Sequence, residues 1–164
     1  EPGAWAFITG KFVTDPVWWF FLGWIPSFLN RTYAVDVTAL GLPLVVIYLS
    51  ADVGSIGGGW LVAGLVSRGW APTRARKAAM LICATAAVPV VSILFVQNVW
   101  AAVALLSLAA AAHQGWSANL YTIVSDTVPR QAIASVVGLG GLAGAVSGML
   151  TQYCVKAVWS RSSS

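Results

Sequence analysis

The sequence reads Ala109-Ala-Ala-Ala-His113-Gln114-Gly-Trp116-Ser117-Ala-Asn119-Leu-Tyr121 inside an apolar run from about 99 to 124. That run is long enough to cross a bilayer as a helix. Polar side chains at such a depth are costly, so they face the interior of a helix bundle or a water-filled path. At about 100° per residue, an arc of roughly 100° contains His113, Gln114, Ser117 and Tyr121. Trp116 and Asn119 lie on other faces. The stretch therefore predicts a membrane helix with a polar face, around which the rest of the chain packs.

The composition of the whole chain also indicates an all-α membrane protein. Its 164 residues are 59% hydrophobic and 9% charged, whereas soluble domains carry about 25% charged residues. The mean hydropathy is +0.81. Nine Trp and four Tyr suit membrane interfaces, where amphipathic rings settle. The few positive charges are concentrated in one stretch, which fits membrane topology better than a nucleic-acid partner.

Five apolar runs predict five transmembrane helices, at about 4–29, 39–66, 78–96, 99–124 and 132–158. Between the second and third runs, the loop Ser67–Lys77 holds four of the nine positive residues. The positive-inside rule places that loop in the cytoplasm. Pro16 and Pro26 are expected to kink or end the first helix locally. The tail 159–164 is expected to be irregular, and the start at Glu1 without Met suggests a piece of something longer or a processed chain.

The first run holds Lys11 and Asp15, which are four residues apart and can meet on one helix face. Trp18 continues that face. One interpretation is that Lys11 snorkels to the membrane surface and Asp15 pairs with it. The other is that this part of the helix lines a gate or a substrate path.

The second run carries a polar stripe of about 60° on the helical wheel, formed by Tyr48, Asp52, Ser55 and Gly59. Asp52 has no basic residue nearby in sequence. It is expected either to handle substrate or protons directly, or to cap or hydrogen-bond to a neighbouring helix. The glycines of Gly54–Gly59 have small-xxx-small spacing, which favours close helix packing over ligand contact.

The fifth run has a similar seam of small residues. Gly140, Gly144 and Gly148 are each four apart, and Gly141 and Ala145 are expected to widen the seam.

Enzyme chemistry has no support in the sequence. There is one His, no zinc-type His/Cys spacing and no nucleophile elbow. Cys83 and Cys154 lie inside apolar runs, where buried thiols are expected. We therefore predict no enzyme, no metal and no cofactor. A stand-alone five-helix structural membrane protein remains an alternative, although the polar faces argue against it.

Six segments in order carry a resemblance to a known family. They are Gly10–Phe20, Leu49–Trp60, Arg74–Lys77, Ala112–Asn119, Ser125–Arg130 and Ser135–Gly144. Together they resemble the major facilitator superfamily, specifically its anion:cation symporter branch and the bacterial hexuronate transporters within it. The resemblance implies a partial major facilitator fold: residues 4–158 would be helices seven to eleven of an expected twelve, with the N-terminal six-helix half missing.

The resemblance also implies a function. It predicts proton-coupled uptake of a hexuronate such as glucuronate or galacturonate by alternating access, in the bacterial inner membrane. The partners would be a small sugar acid, a proton, the bilayer and the missing half. Another organic anion, such as galactonate or glucarate, is the alternative substrate. We expect no transport by these five helices alone.

The match of these segments to the family implies which residues form the site. Gln114, Ser117 and Asn119 would recognise sugar hydroxyls. The residues expected beside the sugar are Trp116 and Trp18, which would stack on its ring, and Tyr48. His113 is expected to hydrogen-bond structurally rather than carry protons. The remaining polar or gating residues would be Lys11, Asp15, Asp52, Asp126 and Arg130, the last two serving helix ends and loop ion pairs.

Overall fold

A computed structural model describes residues 2–162 of the chain. These residues form five α-helices: α1 (Pro2–Tyr33), α2 (Gly41–Ser67), α3 (Pro72–Ala87), α4 (Val99–Thr127) and α5 (Arg130–Ser162). Two 3₁₀ segments, Val37–Ala39 and Val88–Phe95, precede α2 and follow α3. Each predicted apolar run corresponds to one helix, so the prediction of an all-α fold is confirmed.

Four helical segments of the described chain are long and apolar enough to cross a membrane: Gly41–Ser67, Pro72–Phe95, Val99–Thr127 and Arg130–Val158. Helix α1 is not among them, although its 32 residues would extend about 48 Å at 1.5 Å per residue. Its tryptophans, its two prolines and the Lys11–Asp15 pair lower the hydropathy of the helix. A fifth span at 4–29 therefore stays a prediction.

The connection between α2 and α3 is shorter than the predicted loop at Ser67–Lys77. Helix α3 begins at Pro72, because proline is favoured in the first helical turn, where its missing N–H is not needed. Most of the basic residues of the predicted loop therefore lie in the first turns of a helix. The turn itself is fixed by Gly69, whose φ of +87° suits glycine. The Trp70 N–H donates to the Leu65 carbonyl over 3.2 Å, as in a Schellman helix ending.

One further expectation about the helices is corrected. The tail expected to be irregular from residue 159 is helical up to Ser162, where α5 ends; residues 163–164 lie outside the described part. The helix α1 runs through Pro16 and Pro26, so neither proline ends it, and a kink at either one stays a prediction. A proline removes one backbone hydrogen bond, and packing in a helix bundle can offset that loss.

The chain divides into two compact units. The first unit contains α1 as far as Ile25, α4 from Leu120 onward, and α5. Its fully buried side chains include Phe7 and Val124. Helix α5 meets α1 in this unit through its glycines, which are described below.

The second unit is Pro26–Asn119. Helix α3 buries Ala75, Ala79 and Cys83 at four-residue spacing, which is one face of a helix. The Tyr33 hydroxyl donates to the Val96 carbonyl over 2.8 Å and ties the end of α1 to the 3₁₀ segment after α3.

The cysteines also differ from one another. Cys83 is buried as expected, whereas Cys154 is exposed, so the expectation of a buried thiol is wrong for Cys154.

Candidate functional site

Helices α2 and α4 cross at backbone contact in the second unit. Gly54 lies against the backbone of Ala111, and Gly58 lies against the backbone of Gly115. A Cβ atom on Gly58 would stand 2.6 Å from the Gly115 carbonyl oxygen, closer than real Cβ atoms approach. The predicted packing role of these glycines is confirmed, because only residues without side chains permit such a crossing.

Asn119 fastens this crossing. Its Nδ2 donates to the Gly58 carbonyl over 3.2 Å and to the Gly115 carbonyl over 2.9 Å. The side chain is 3% exposed, and both of its amide hydrogens are used. The structure therefore gives Asn119 a helix-packing function, where the resemblance implied hydroxyl recognition.

Two other polar residues of α4, Gln114 and Ser117, have hydrogen-bonding groups that are not in use within the described part of the chain. Gln114 is half-buried and Ser117 is buried. Neither side chain has a hydrogen-bond partner within residues 2–162. Trp116 and His113 are half-buried on the same helix. Gln114 and Ser117 thus keep the free donors and acceptors that a polar ligand would need.

A groove of about 480 Å³ runs between α2 and α4 in the second unit. The residues that line it are mostly apolar: Val46, Leu49, Ser50, Val53, Ser107, Leu108 and Ala111. The Ser50 hydroxyl donates to the Val46 carbonyl over 2.7 Å. The Ser107 hydroxyl is buried and has no hydrogen-bond partner in the part of the chain that the structure describes. It is therefore available to a polar group that enters the groove.

Sequence reasoning did not single out these two serines. A signal existed for Ser107, because it is the one polar residue between Val99 and Ala112. The predicted polar face was assigned instead to His113 and the residues after it, because their side chains are larger and more polar.

The stripe predicted on α2 lies outside the groove. Tyr48 is half-buried, and neither it nor Asp52 is among the groove-lining residues. Asp52 is exposed near the middle of α2 and has no hydrogen bond or ion pair within the described residues. The alternative in which Asp52 caps a helix or bonds to a neighbouring one is therefore not observed.

The first unit holds the ion pair predicted on α1. Lys11 Nζ and Asp15 Oδ1 are 2.6 Å apart, with the two side chains 6% and 16% exposed, so the predicted pair is confirmed. Because Lys11 is buried, the interpretation in which it snorkels to the surface is wrong. Lys11 Nζ also lies 4.7 Å from the centre of the Tyr121 ring, and Phe7 meets that ring edge-on.

The glycines of α5 form sockets for α1. Gly140 faces the ring of Phe7, Gly144 faces the Asp15 carboxylate and Gly148 faces the indole of Trp19. The predicted seam is thus confirmed, but Gly141 is not part of it, because it is exposed and has no atom of a neighbouring element within 4 Å. A glycine at these positions makes room for a large side chain rather than for a second backbone.

Gln152 extends this interface and was not predicted. Its Nε2 donates to the Trp19 carbonyl over 2.6 Å, and its Oε1 accepts from Trp24 Nε1 over 3.0 Å. Trp18, predicted to stack on a sugar, is half-buried on α1. Asp126 and Arg130 are exposed at the end of α4 and the start of α5, where helix ends were expected.

Comparison with known proteins places this geometry in context. No protein-family profile matches the chain. The chain is 29% identical over 140 residues to the hexuronate transporter of Escherichia coli (strain K12), covering 84% of this chain and 32% of that protein. It is 26% identical to a probable galactarate/D-glucarate transporter of the same strain, covering 87% of this chain and 32% of that protein. The resemblance to major facilitator anion transporters is confirmed.

A third relative supports the same family. The D-galactonate transporter of Escherichia coli O6:H1 is 25% identical over 140 residues, covering 85% of this chain and 32% of that protein. The chain thus spans about a third of the length of these relatives, all of which are named as transporters. With its four apolar helices, it is a multi-pass membrane protein.

Proposed function

We propose that this chain is part of the C-terminal half of a transporter for hexuronates or closely related sugar acids. The observation that carries the proposal is the match to three sugar-acid transporters over 84 to 87% of the chain. The complete protein would alternate between inward-open and outward-open states and use a proton to drive uptake. It would lie in the bacterial inner membrane with Ser67–Lys77 on the cytoplasmic side.

The sugar-facing residues of this proposal are those with spare hydrogen-bonding capacity. Gln114 and Ser117 would bind hydroxyls of the sugar, and Trp116 would stack on the apolar face of its ring. The Ser107 hydroxyl is a further candidate, because burial without a partner favours an incoming polar group. Asn119 acts indirectly in this scheme. Its hydrogen bond to Gly58 holds together α2 and α4, the helices that carry the residues proposed to contact the sugar. Trp18 and Tyr48 stay proposed substrate contacts on grounds of the resemblance alone.

The polar residues away from the sugar have separate proposed functions. The Asp52 carboxylate, exposed in a membrane-spanning helix, would face a water-filled path or the missing half, because lipid contact is costly for a charge. His113 would hydrogen-bond within the bundle. Asp126 and Arg130 would form the cytoplasmic ends of α4 and α5.

Uptake by the intact protein that contains this chain tests the substrate class. Proteoliposomes with an inward proton gradient should accumulate radiolabelled D-glucuronate saturably, and unlabelled D-galacturonate should compete. Stronger competition by D-galactonate or galactarate would move the assignment to that sugar acid. No saturable uptake of any of the four would contradict the proposal and favour a structural protein.

A matched pair of variants tests the site. Gln114→Ala should raise the KM for D-glucuronate about fivefold to tenfold, the effect of losing a hydrogen bond to a substrate hydroxyl. Gln131→Ala removes an exposed glutamine at the start of α5 and should leave KM unchanged. Equal KM values for both variants would remove Gln114 from the site.

A further inference from the structure

The most unusual chemistry of the described residues is a charged pair buried in α1, the helix for which a membrane span at 4–29 is predicted. Lys11 is 5% exposed, and its Nζ is 2.6 Å from Asp15 Oδ1. Replacing such a buried pair by apolar residues is often neutral or stabilising. Stability alone therefore explains its presence poorly. If α1 spans the membrane as predicted, ionisable residues within it are functional by default.

The contacts of the pair include a titratable group from α4, Tyr121, whose ring lies over Lys11 Nζ at 4.7 Å. From α5, the stretch 140–148 contains no titratable residue, and Gly144 places bare backbone against the Asp15 carboxylate. On α1 itself, the Thr14 hydroxyl donates to the Gly10 carbonyl. Asp15 is thus the group in this cluster that compensates the charge of Lys11.

That arrangement has a consequence for anion binding. A proton added to Asp15 leaves Lys11 as a buried cation without a counter-charge, which is unfavourable in a medium of low polarity. A carboxylate from a ligand restores the charge balance. The proton and the anion therefore favour each other's binding at the same place, although neither is favourable alone.

We propose that Lys11 and Asp15 form a proton-dependent binding site for the carboxylate of the substrate. One proton from water binds the Asp15 carboxylate, and the substrate carboxylate replaces Asp15 as the ion-pair partner of Lys11. Lys11 stays protonated throughout, so one proton and one negative charge enter together and the net charge of the site is unchanged. The inference rests on the proposed sugar-acid uptake and adds a coupling site on this chain's own residues.

In the described structure Lys11 is paired with Asp15. Asp15 occupies the place that the substrate carboxylate would take, and its carboxylate lies against Gly144. Tyr121 is 38% exposed and covers the Lys11 ammonium, so the ring would move aside when the anion enters.

Proton linkage tests the proposal directly. D-glucuronate is titrated calorimetrically into the intact, detergent-solubilised protein near pH 7, in buffers of different ionisation enthalpy. The dependence of the heat on the buffer gives the number of protons taken up with each anion. Asp15→Asn should lower that number by about one relative to the wild-type protein and should still bind D-glucuronate. Lys11→Met should raise the Kd at least about tenfold, and Lys11→Arg should recover part of that loss.

Two exposed residues supply matched controls. Asp36→Asn and Lys156→Met make the same side-chain changes at exposed positions and should leave proton uptake and Kd at wild-type values. The variant carrying both Lys11→Met and Asp15→Asn has no buried charge, so it should fold even where a single variant does not. It should bind weakly and without the Asp15 proton.

The outcomes separate the two proposals. Absence of D-glucuronate binding by the wild-type protein would overturn the proposed function and this inference with it. Wild-type binding combined with undiminished proton uptake in Asp15→Asn, or in the double variant, would overturn only the inference. Unchanged Kd in Lys11→Met would do the same.

Discussion

The two helix interfaces that depend on glycine use it in different ways. At the α2–α4 crossing, Gly54 and Gly58 bring one backbone against another. At the α1–α5 interface, Gly140 and Gly148 receive the rings of Phe7 and Trp19. The sequence signature is the same, with glycines four apart on one helix face. The difference is therefore decided by the partner helix, which is small at Ala111 and Gly115 and bulky along α1.

This contrast has an energetic meaning. A new Cβ atom that overlaps a backbone can be accommodated only if the whole helix moves. One that overlaps a side chain can be accommodated if that side chain adopts another rotamer. Glycine-to-alanine substitutions at the α2–α4 crossing should thus be costlier than glycine-to-alanine substitutions at the α1–α5 sockets. The four predictions below test that order, each as a free energy of unfolding of the intact protein in mixed detergent micelles.

The largest effect is expected for Gly54→Ala. Its new Cβ would overlap the Ala111 backbone, so α2 and α4 would have to separate, at a cost of about 3 kcal/mol, the upper part of the range for overpacking. Gly57→Ala is the matched control, because no neighbouring atom lies within 4 Å of a Cβ there. A loss at Gly54 no larger than that at Gly57 would show that the helices do not cross at this point.

An intermediate effect is expected for Gly140→Ala. Its Cβ would meet the Phe7 ring, and the ring can yield in part, so we expect a loss of about 1 to 2 kcal/mol. The double variant Gly140→Ala with Phe7→Leu should lose less than the sum of the two single losses, because the smaller side chain relieves the overlap. Strict additivity would mean that the two residues are not in contact.

A smaller effect is expected for Asn119→Ala. The variant loses one interhelical hydrogen bond, to Gly58, and one within α4, to Gly115. Interhelical hydrogen bonds in membranes contribute about 0.6 kcal/mol on average and about 1.7 at most. A loss of about 1 kcal/mol is therefore expected. Asn98→Ala, at the exposed start of α4, provides a comparison in which only a helix cap is removed. If Asn119→Ala changed substrate affinity with no change in the free energy of unfolding, the residue would belong to the binding site instead.

The smallest effect is expected for Gly141→Ala, at less than about 0.5 kcal/mol. Gly141 is adjacent to Gly140 in sequence but points away from α1, and nothing lies within 4 Å of its Cβ position. A loss comparable to that of Gly140→Ala would restore Gly141 to the seam, as the spacing of the sequence first suggested.

The sequence was sufficient for the helices and for the chemistry within one helix. Apolar length predicted five helices, and the four-residue spacing of Lys11 and Asp15 predicted their ion pair, because both follow from local geometry. Whether Lys11 is buried depends on residues far along the chain, such as Tyr121 of α4, whose ring lies over Lys11 Nζ. The snorkelling alternative therefore stayed open until the structure was known. The hydrogen bond of Asn119 to Gly58 of α2 could not be predicted for the same reason, since it joins residues far apart in sequence, and the assignment of Asn119 to the substrate stays a prediction.

The boundaries that failed were those set by backbone chemistry rather than by hydropathy. The basic residues after Gly69 were assigned to a loop because they are charged, yet Pro72 begins a helix there. Gln152 escaped notice because the end of α5 lacks a strong apolar pattern. Its two hydrogen bonds to α1 nevertheless hold that part of α5 against α1.

The burial of Lys11 and Asp15 against α5 also has a consequence for biosynthesis. Gly144 leaves the ribosome about 130 residues after Asp15, which at 5–20 residues per second is a delay of roughly 6 to 26 s. During that time α1, which is not among the four apolar spans, has formed its ion pair but not its contacts with α5. If α1 spans the membrane as predicted, its retention there depends on the translocon or on other parts of the nascent chain until α5 has been made. Because α5 is synthesised after the other four helices, the packing of α1 is complete only once α5 has been made.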